Sequence, residues 1–133
     1  NVRKEGLAKA GKVVSAADIE RLRELVKEVY LDEKIEQYIV DIVYATREPE
    51  KCGLGFLEPM ISVGCSPRAS INLALASKAF AFLQGRAFVI PEDIREIAPD
   101  VMRHRMGLTY EAEAENLTAT DIVNKIIAKV EVP

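Results

Sequence analysis

The sequence predicts an all-α fold, a compact helical bundle of about five helices with at most one minor β-ribbon. Three observations carry this. Apolar residues recur at three- and four-residue steps in successive segments. Each segment is preceded by a helix-start signal, either a hydroxyl or carboxylate cap or a proline. No segment holds the two-residue alternation of a central strand, and the one place for a ribbon is Phe88 to Ile90 against Leu108 to Tyr110.

The elements follow in order. Residues 1–14 are basic, with Arg3, Lys4, Lys9 and Lys12 against Glu5, and lack a clean period, so they read as a linker. Ser15 with Asp18 forms a capping box, and Ile19, Leu22, Val26 and Val29 make one apolar stripe behind it. Asp32 caps a second helix carrying Ile35, Tyr38, Ile39, Ile42 and Val43, which Pro49 ends. Glu48 to Ser66 is a long connection rich in glycine and proline, of the length that is often functional. Ser66 and Pro67 then predict a sharp start, with the serine hydroxyl as cap and proline at the first helical position.

The helix from Pro67 to Gln84 is apolar on most sides and reads as the central one, terminated by a left-handed Gly85. Arg86 to Ile90 is extended in character. Pro91, Glu92 and Asp93 open the next helix, in which Pro99 is expected to cause a break or kink. Gly107 to Asn116 is a second loop or short strand. Thr118 with Asp121 caps the last amphipathic helix, which carries Ile122, Ile126, Ile127 and Val130.

At 133 residues the chain suits one domain and needs no disulfide or metal staple. A formal charge of −3 argues against a nucleic-acid partner, and no apolar run is long enough for membrane insertion. Cys52 and Cys65 are too few for a disulfide framework or a cysteine metal site, and read as reduced thiols of a cytoplasmic protein. His104 is the only histidine, beside Arg103 and Arg105 at a helix end where the dipole favours cations.

Gly6 to Lys12 (GLAKAGK) nearly matches a phosphate loop. It has Val13 where the magnesium-binding hydroxyl belongs, and helix signals begin only at Ser15. Glu111, Glu113 and Glu115 alternate without a His or Asp partner and read as a solvated acidic segment. Gly64 to Ser70 (GCSPRAS) is different, because it sets Arg68 in the first turn of the central helix. A cation is disfavoured there by about 0.3–1 kcal/mol unless something compensates. No Asp or Glu occurs between Pro59 and Pro91. Either a distant carboxylate pairs with Arg68, or it is a surface arginine, or the helix start receives an anion such as phosphate.

GCSPRASINLALASKAFAFLQGRAFVIPEDI, then VMRHRMGLTYEAEAEN and the closing VEVP, resemble the C-terminal lid domain of MoxR-family AAA+ ATPases. The likeness runs from about Val14 to Pro133, and SPRAS, GRAFVIPEDI and RHRMGLTYEAE are its most specific parts. Cys65 stands where the family more often has alanine, and Glu48 to Ser62 resembles only one branch.

The resemblance implies that residues 15–133 are a lid and residues 1–14 a linker from a missing ATPase core. It implies that Arg68 is the sensor-2 arginine, directed at the ATP γ-phosphate by the helix start at Ser66 and Pro67. ATP and Mg2+ would belong to the full-length parent, and the fragment alone would bind ATP weakly or not at all and would not hydrolyse it. The parent would be a hexameric ring, its lid contacting its own core and neighbouring subunits, with von Willebrand A-domain proteins as partners. It would act in a chaperone-like way or in metalloenzyme maturation. A free-standing helical adaptor that binds protein and not nucleotide is the alternative.

Overall fold

The first helix, α1 (Ala16–Lys27), begins where the sequence places its cap: Ser15 Oγ accepts from the Asp18 amide while Asp18 accepts from the Ser15 amide. The structure, a computed structural model, describes residues 6–133. Arg3, Lys4 and Glu5 of the predicted linker lie outside the described residues, and residues 7–15 form neither helix nor strand. Helix α1 buries none of its residues. Its apolar stripe rests on one neighbour and stays partly open.

Helix α2 (Glu33–Arg47) is capped by Asp32, which accepts from the Lys34 amide at 3.0 Å. Ile35, Tyr38, Ile39, Ile42 and Val43 are all buried, as their spacing predicts. The connection that follows is not a loose loop. It holds two short 3-10 turns, Pro49–Cys52 and Gly55–Met60, and buries Leu54, Leu57 and Met60 in the core. Those three side chains remove apolar surface from water, and that is why the segment folds onto the domain.

Strand β1 (Ile61–Val63) then pairs antiparallel with β2 (Gly107–Leu108), Ile61 facing Leu108 and Val63 facing Gly107. This corrects the predicted ribbon. Phe88 makes only an isolated bridge to Tyr30, with the Tyr30 amide bonded to the Ala87 carbonyl and the Val89 amide to the Tyr30 carbonyl. The segment closes the α1 end of the bundle, whereas Gly107 gives Ser62 the room that a Cβ would occupy at 2.7 Å.

Helix α3 (Arg68–Leu83) packs chiefly on α4 (Pro91–Met102) and α2. It has the central place expected, but not full cover. Ala69, Leu73, Ser77 and Ala81 are its buried stripe, while Ile71, Leu75 and Leu83 are exposed. Gly85 ends it at φ 79°, as predicted. Helix α4 continues through Pro99, so of the expected break or kink the break does not occur. Proline removes one intrahelical donor there, but the helix keeps Ile94, Ala98 and Met102 buried, and the Arg103 amide still bonds the Pro99 carbonyl.

Between β2 and the last helix lies α5 (Tyr110–Ala114), capped by Thr109, where a loop or strand was expected. Helix α6 (Ala119–Lys129) shows the Thr118–Asp121 capping box and buries Ile122, Val123, Ile126 and Ile127 against α4 and α2. The described residues form a helical bundle with one small antiparallel ribbon.

Candidate functional site

Arg68 stands in the first turn of α3, exposed, with no carboxylate within 4.0 Å among the described residues. The distant carboxylate considered as a partner for Arg68 is thus not found among the described residues. No acidic residue lies in the first turn to offset the guanidinium. The helix dipole and the arginine together make this end positive, even with the Ser70 amide bonded to the Pro67 carbonyl at 3.0 Å. Proline at 67 has φ −56°, already helical. Ser66 does not supply the expected hydroxyl cap: the start has no side-chain cap, and it is the Ser66 carbonyl that accepts from the Ala69 amide at 2.9 Å.

The loop before Arg68 is held from two sides. On one side is the C-terminal turn of α2. Thr46 Oγ1 donates to the Val43 carbonyl at 2.7 Å and accepts from the Cys65 amide at 2.9 Å. Arg47 Nη1 donates to the Cys65 carbonyl at 3.2 Å. Gly64 passes so close that a Cβ there would lie 2.5 Å from the Thr46 carbonyl oxygen, so only glycine fits. On the other side, the Cys65 thiol points to the Met102 carbonyl at 3.9 Å, which also accepts from the Arg105 amide at 2.9 Å. Burial pushes the Cys65 thiol above its ordinary pKa, against the weaker pull of the Thr46 hydroxyl and the Arg105 and Arg47 charges.

The other sequence candidates fall away from this place. Glu111 and Glu113 sit on α5, where a two-residue step turns them to opposite sides of the helix. Among the described residues no group of three or more His, Cys, Asp or Glu could hold a metal ion. The GLAKAGK segment runs into α1 only at Ala16, four residues past Lys12, so the helix of a phosphate loop is not where it must be. His104 is exposed on the turn after α4, and Arg103 beside it pairs with Asp100.

Sequence reasoning missed two contacts. Arg86 grips Asp93 in a fork, 2.6 and 2.5 Å, and Asp93 also accepts from the Ile90 amide at 2.9 Å, so a buried carboxylate starts α4. The carboxylate partner raises the Arg86 pKa above its ordinary value. The only signal was an acid at the third position of a helix already marked by proline. The Thr46–Arg47 grip on Cys65 had no signal, since a basic residue at a helix end is explained by the dipole alone.

The family model described as AAA lid domain matches residues 57–126. The chain belongs to the AAA lid domain family. The lid is also 36% identical over 124 residues to the chaperone MoxR1 of Mycobacterium tuberculosis, covering 93% of this chain and 33% of that protein. Protein MoxR of Paracoccus denitrificans is 33% identical over 105 residues, covering 74% of this chain and 31% of that protein. A crystal structure of a candidate ATPase from Cytophaga hutchinsonii superposes with a TM-score of 0.90 at 38% identity, covering 99% of this chain and 41% of that one. The lid therefore spans about a third of the length of the curated relatives it matches. It is a MoxR-type AAA+ lid in sequence and in fold. Among the described residues no helix is long and apolar enough to cross a membrane.

Proposed function

We propose that this lid works in a longer cytoplasmic AAA+ ATPase, with residues 1–14 as its linker from the core, and that Arg68 is the sensor-2 arginine for the γ-phosphate. The observation that carries this is the exposed Arg68, unpaired among the described residues, at a positive helix start without a side-chain cap. An arginine fork at a helix N-terminus suits phosphate oxygens in shape and sign, so the residues present fit the terminal phosphate of ATP. When bound on the core, ATP with Mg2+ supplies the phosphoryl group to be cleaved. Within this chain, Arg68 meets the charge of that group, Pro67 and Ser66 set the start of α3, and the rigid bundle carries the change to neighbouring subunits of a hexameric ring. The kinship to the chaperone MoxR1 supports a chaperone-like role; von Willebrand A-domain partners and metalloenzyme maturation are proposed on the family resemblance alone.

Arg68→Ala tests the reading. In the full-length ATPase, turnover should fall at least about tenfold, and by up to ~10³-fold or more if the guanidinium meets transition-state charge. Arg68→Lys should recover little, because an ammonium lacks the planar fork. The melting temperature should hold or rise by about 2 °C at most, since a cation leaves a positive helix end. Undiminished turnover in Arg68→Ala would leave the arginine an ordinary surface residue.

A further inference from the structure

We infer that the C-terminal turn of α2 is the positioning element for Arg68: Thr46 and Arg47 hold the backbone of Gly64 and Cys65 and so fix where the guanidinium points. This rests on the sensor reading of Arg68, and it assigns roles to residues outside the SPRAS segment.

The geometry is specific. Thr46 is buried, and its hydroxyl uses both capacities, donating to Val43 and accepting from Cys65. Valine would keep the volume and lose both bonds, leaving the buried Cys65 amide unpaired. Serine would keep both bonds. Arg47 bonds the carbonyl of the same residue whose amide Thr46 holds, so both polar backbone groups of Cys65 are tied to one turn of α2. Gly64 is packed against the Thr46 carbonyl with no space for movement toward it. Only Ser66 and Pro67 separate Cys65 from Arg68, and Pro67 fixes one of the dihedrals between them. Since α3 has no side-chain cap and Arg68 no ion pair among the described residues, no polar side-chain contact holds that first turn, and the α2 grip acts on the backbone just ahead of it. A displacement of about 1 Å at a charge-stabilising group can cost ~10²-fold in rate. A shift of Cys65 therefore reaches turnover through Arg68.

The test is a double-mutant cycle in the full-length ATPase, reading kcat, KM and melting temperature. Thr46→Val should lower kcat by roughly 10- to 10²-fold when Arg68 is present. Thr46→Ser should stay within about twofold of wild type. In the Arg68→Ala background, Thr46→Val should cost nothing further, because the residue it positions is gone. Arg47→Met, an exposed change that leaves the core untouched, should show the same non-additivity with a smaller loss, and it serves if Thr46→Val fails to fold. Equal losses in both backgrounds would mean a general weakening of the fold and would overturn the inference. Unchanged kcat in folded Thr46→Val and Arg47→Met would overturn it too. If Arg68→Ala by itself leaves turnover intact, the sensor reading fails first, and that arm identifies it separately from the Thr46 arms.

Discussion

Cys65 is fully buried beneath the turn that leads into α3, whereas Cys52 is half-buried at the end of a 3-10 turn. Desolvation is the first cause that raises both thiols, with Asp41 and Glu48 adding to it at Cys52. Neither is an activated nucleophile, because the thiolate is the reactive form and both sites disfavour it. The two should nevertheless differ in access. With iodoacetamide at about pH 8, Cys52 should be alkylated at least ~10-fold faster than Cys65, which reacts only when the domain opens. Peptide mass spectrometry over time reads the two rates, and equal rates would contradict the burial of Cys65. At this scale the sequence was least legible. Arg86 meets Asp93 and Thr46 meets Cys65 through the closing of the bundle, and neither pair sits at a spacing that marks neighbours on one helix or strand. Arg68 was legible because its oddity is local, a cation in a helix start with no acid near it in sequence.

Helix boundaries belong to short-range chemistry, and most were readable. The boxes at Ser15–Asp18 and Thr118–Asp121 and the Asp32 cap all form as the spacing predicts. Pro99 and the Glu48–Ser66 connection hold more order than their local signals mark, for a shared reason. Proline and glycine signals act on the local backbone, but buried Ala98 and Met102 hold α4 together, and buried Leu54, Leu57 and Met60 order the connection. The three capping carboxylates have a measurable consequence. Backbone amides, foremost Ser15 for Asp18, Lys34 for Asp32 and Thr118 for Asp121, hold each pKa below the ordinary 3.8. Below that value the unfolded chain takes up protons before the folded one, so stability present above about pH 4 is lost as pH falls further. The melting temperature should therefore decline below pH 4. In Asp18→Asn with Asp121→Asn, the neutral-pH value should be lower and the acid decline shallower. An acid limb as steep in the double variant as in wild type would show that other carboxylates govern it.

Across the whole molecule the bundle is unevenly held. Helices α2, α4 and α6 share one buried core, in which Ile42, Ile94, Ile122 and Ile126 are fully inaccessible. Helix α1 contributes nothing buried, and its Ile19, Leu22 and Leu25 stay partly open beside the exposed Leu75 and Leu83 of α3. Twelve residues are about the lower limit at which a helix is even marginal in water, so α1 depends on tertiary contact for its order. Its hydrogen-bonded anchors lie at its C-terminal end and just beyond. Tyr30 is bonded to Ala87 and Val89, and Lys78 Nζ reaches the Lys27 carbonyl at 3.4 Å. Opening should start from Ser15 and run toward Lys27. In hydrogen exchange on this chain, amides of the first turns of α1 should exchange at least ~10²-fold faster than those of α4 and α6, with protection rising toward Tyr30. Uniform protection along α1, equal to that of α4, would mean that its apolar stripe contributes as much as a buried one. The polarity of the gradient follows from where the anchors lie, since the capping box at Ser15 is exposed and holds only the local turn.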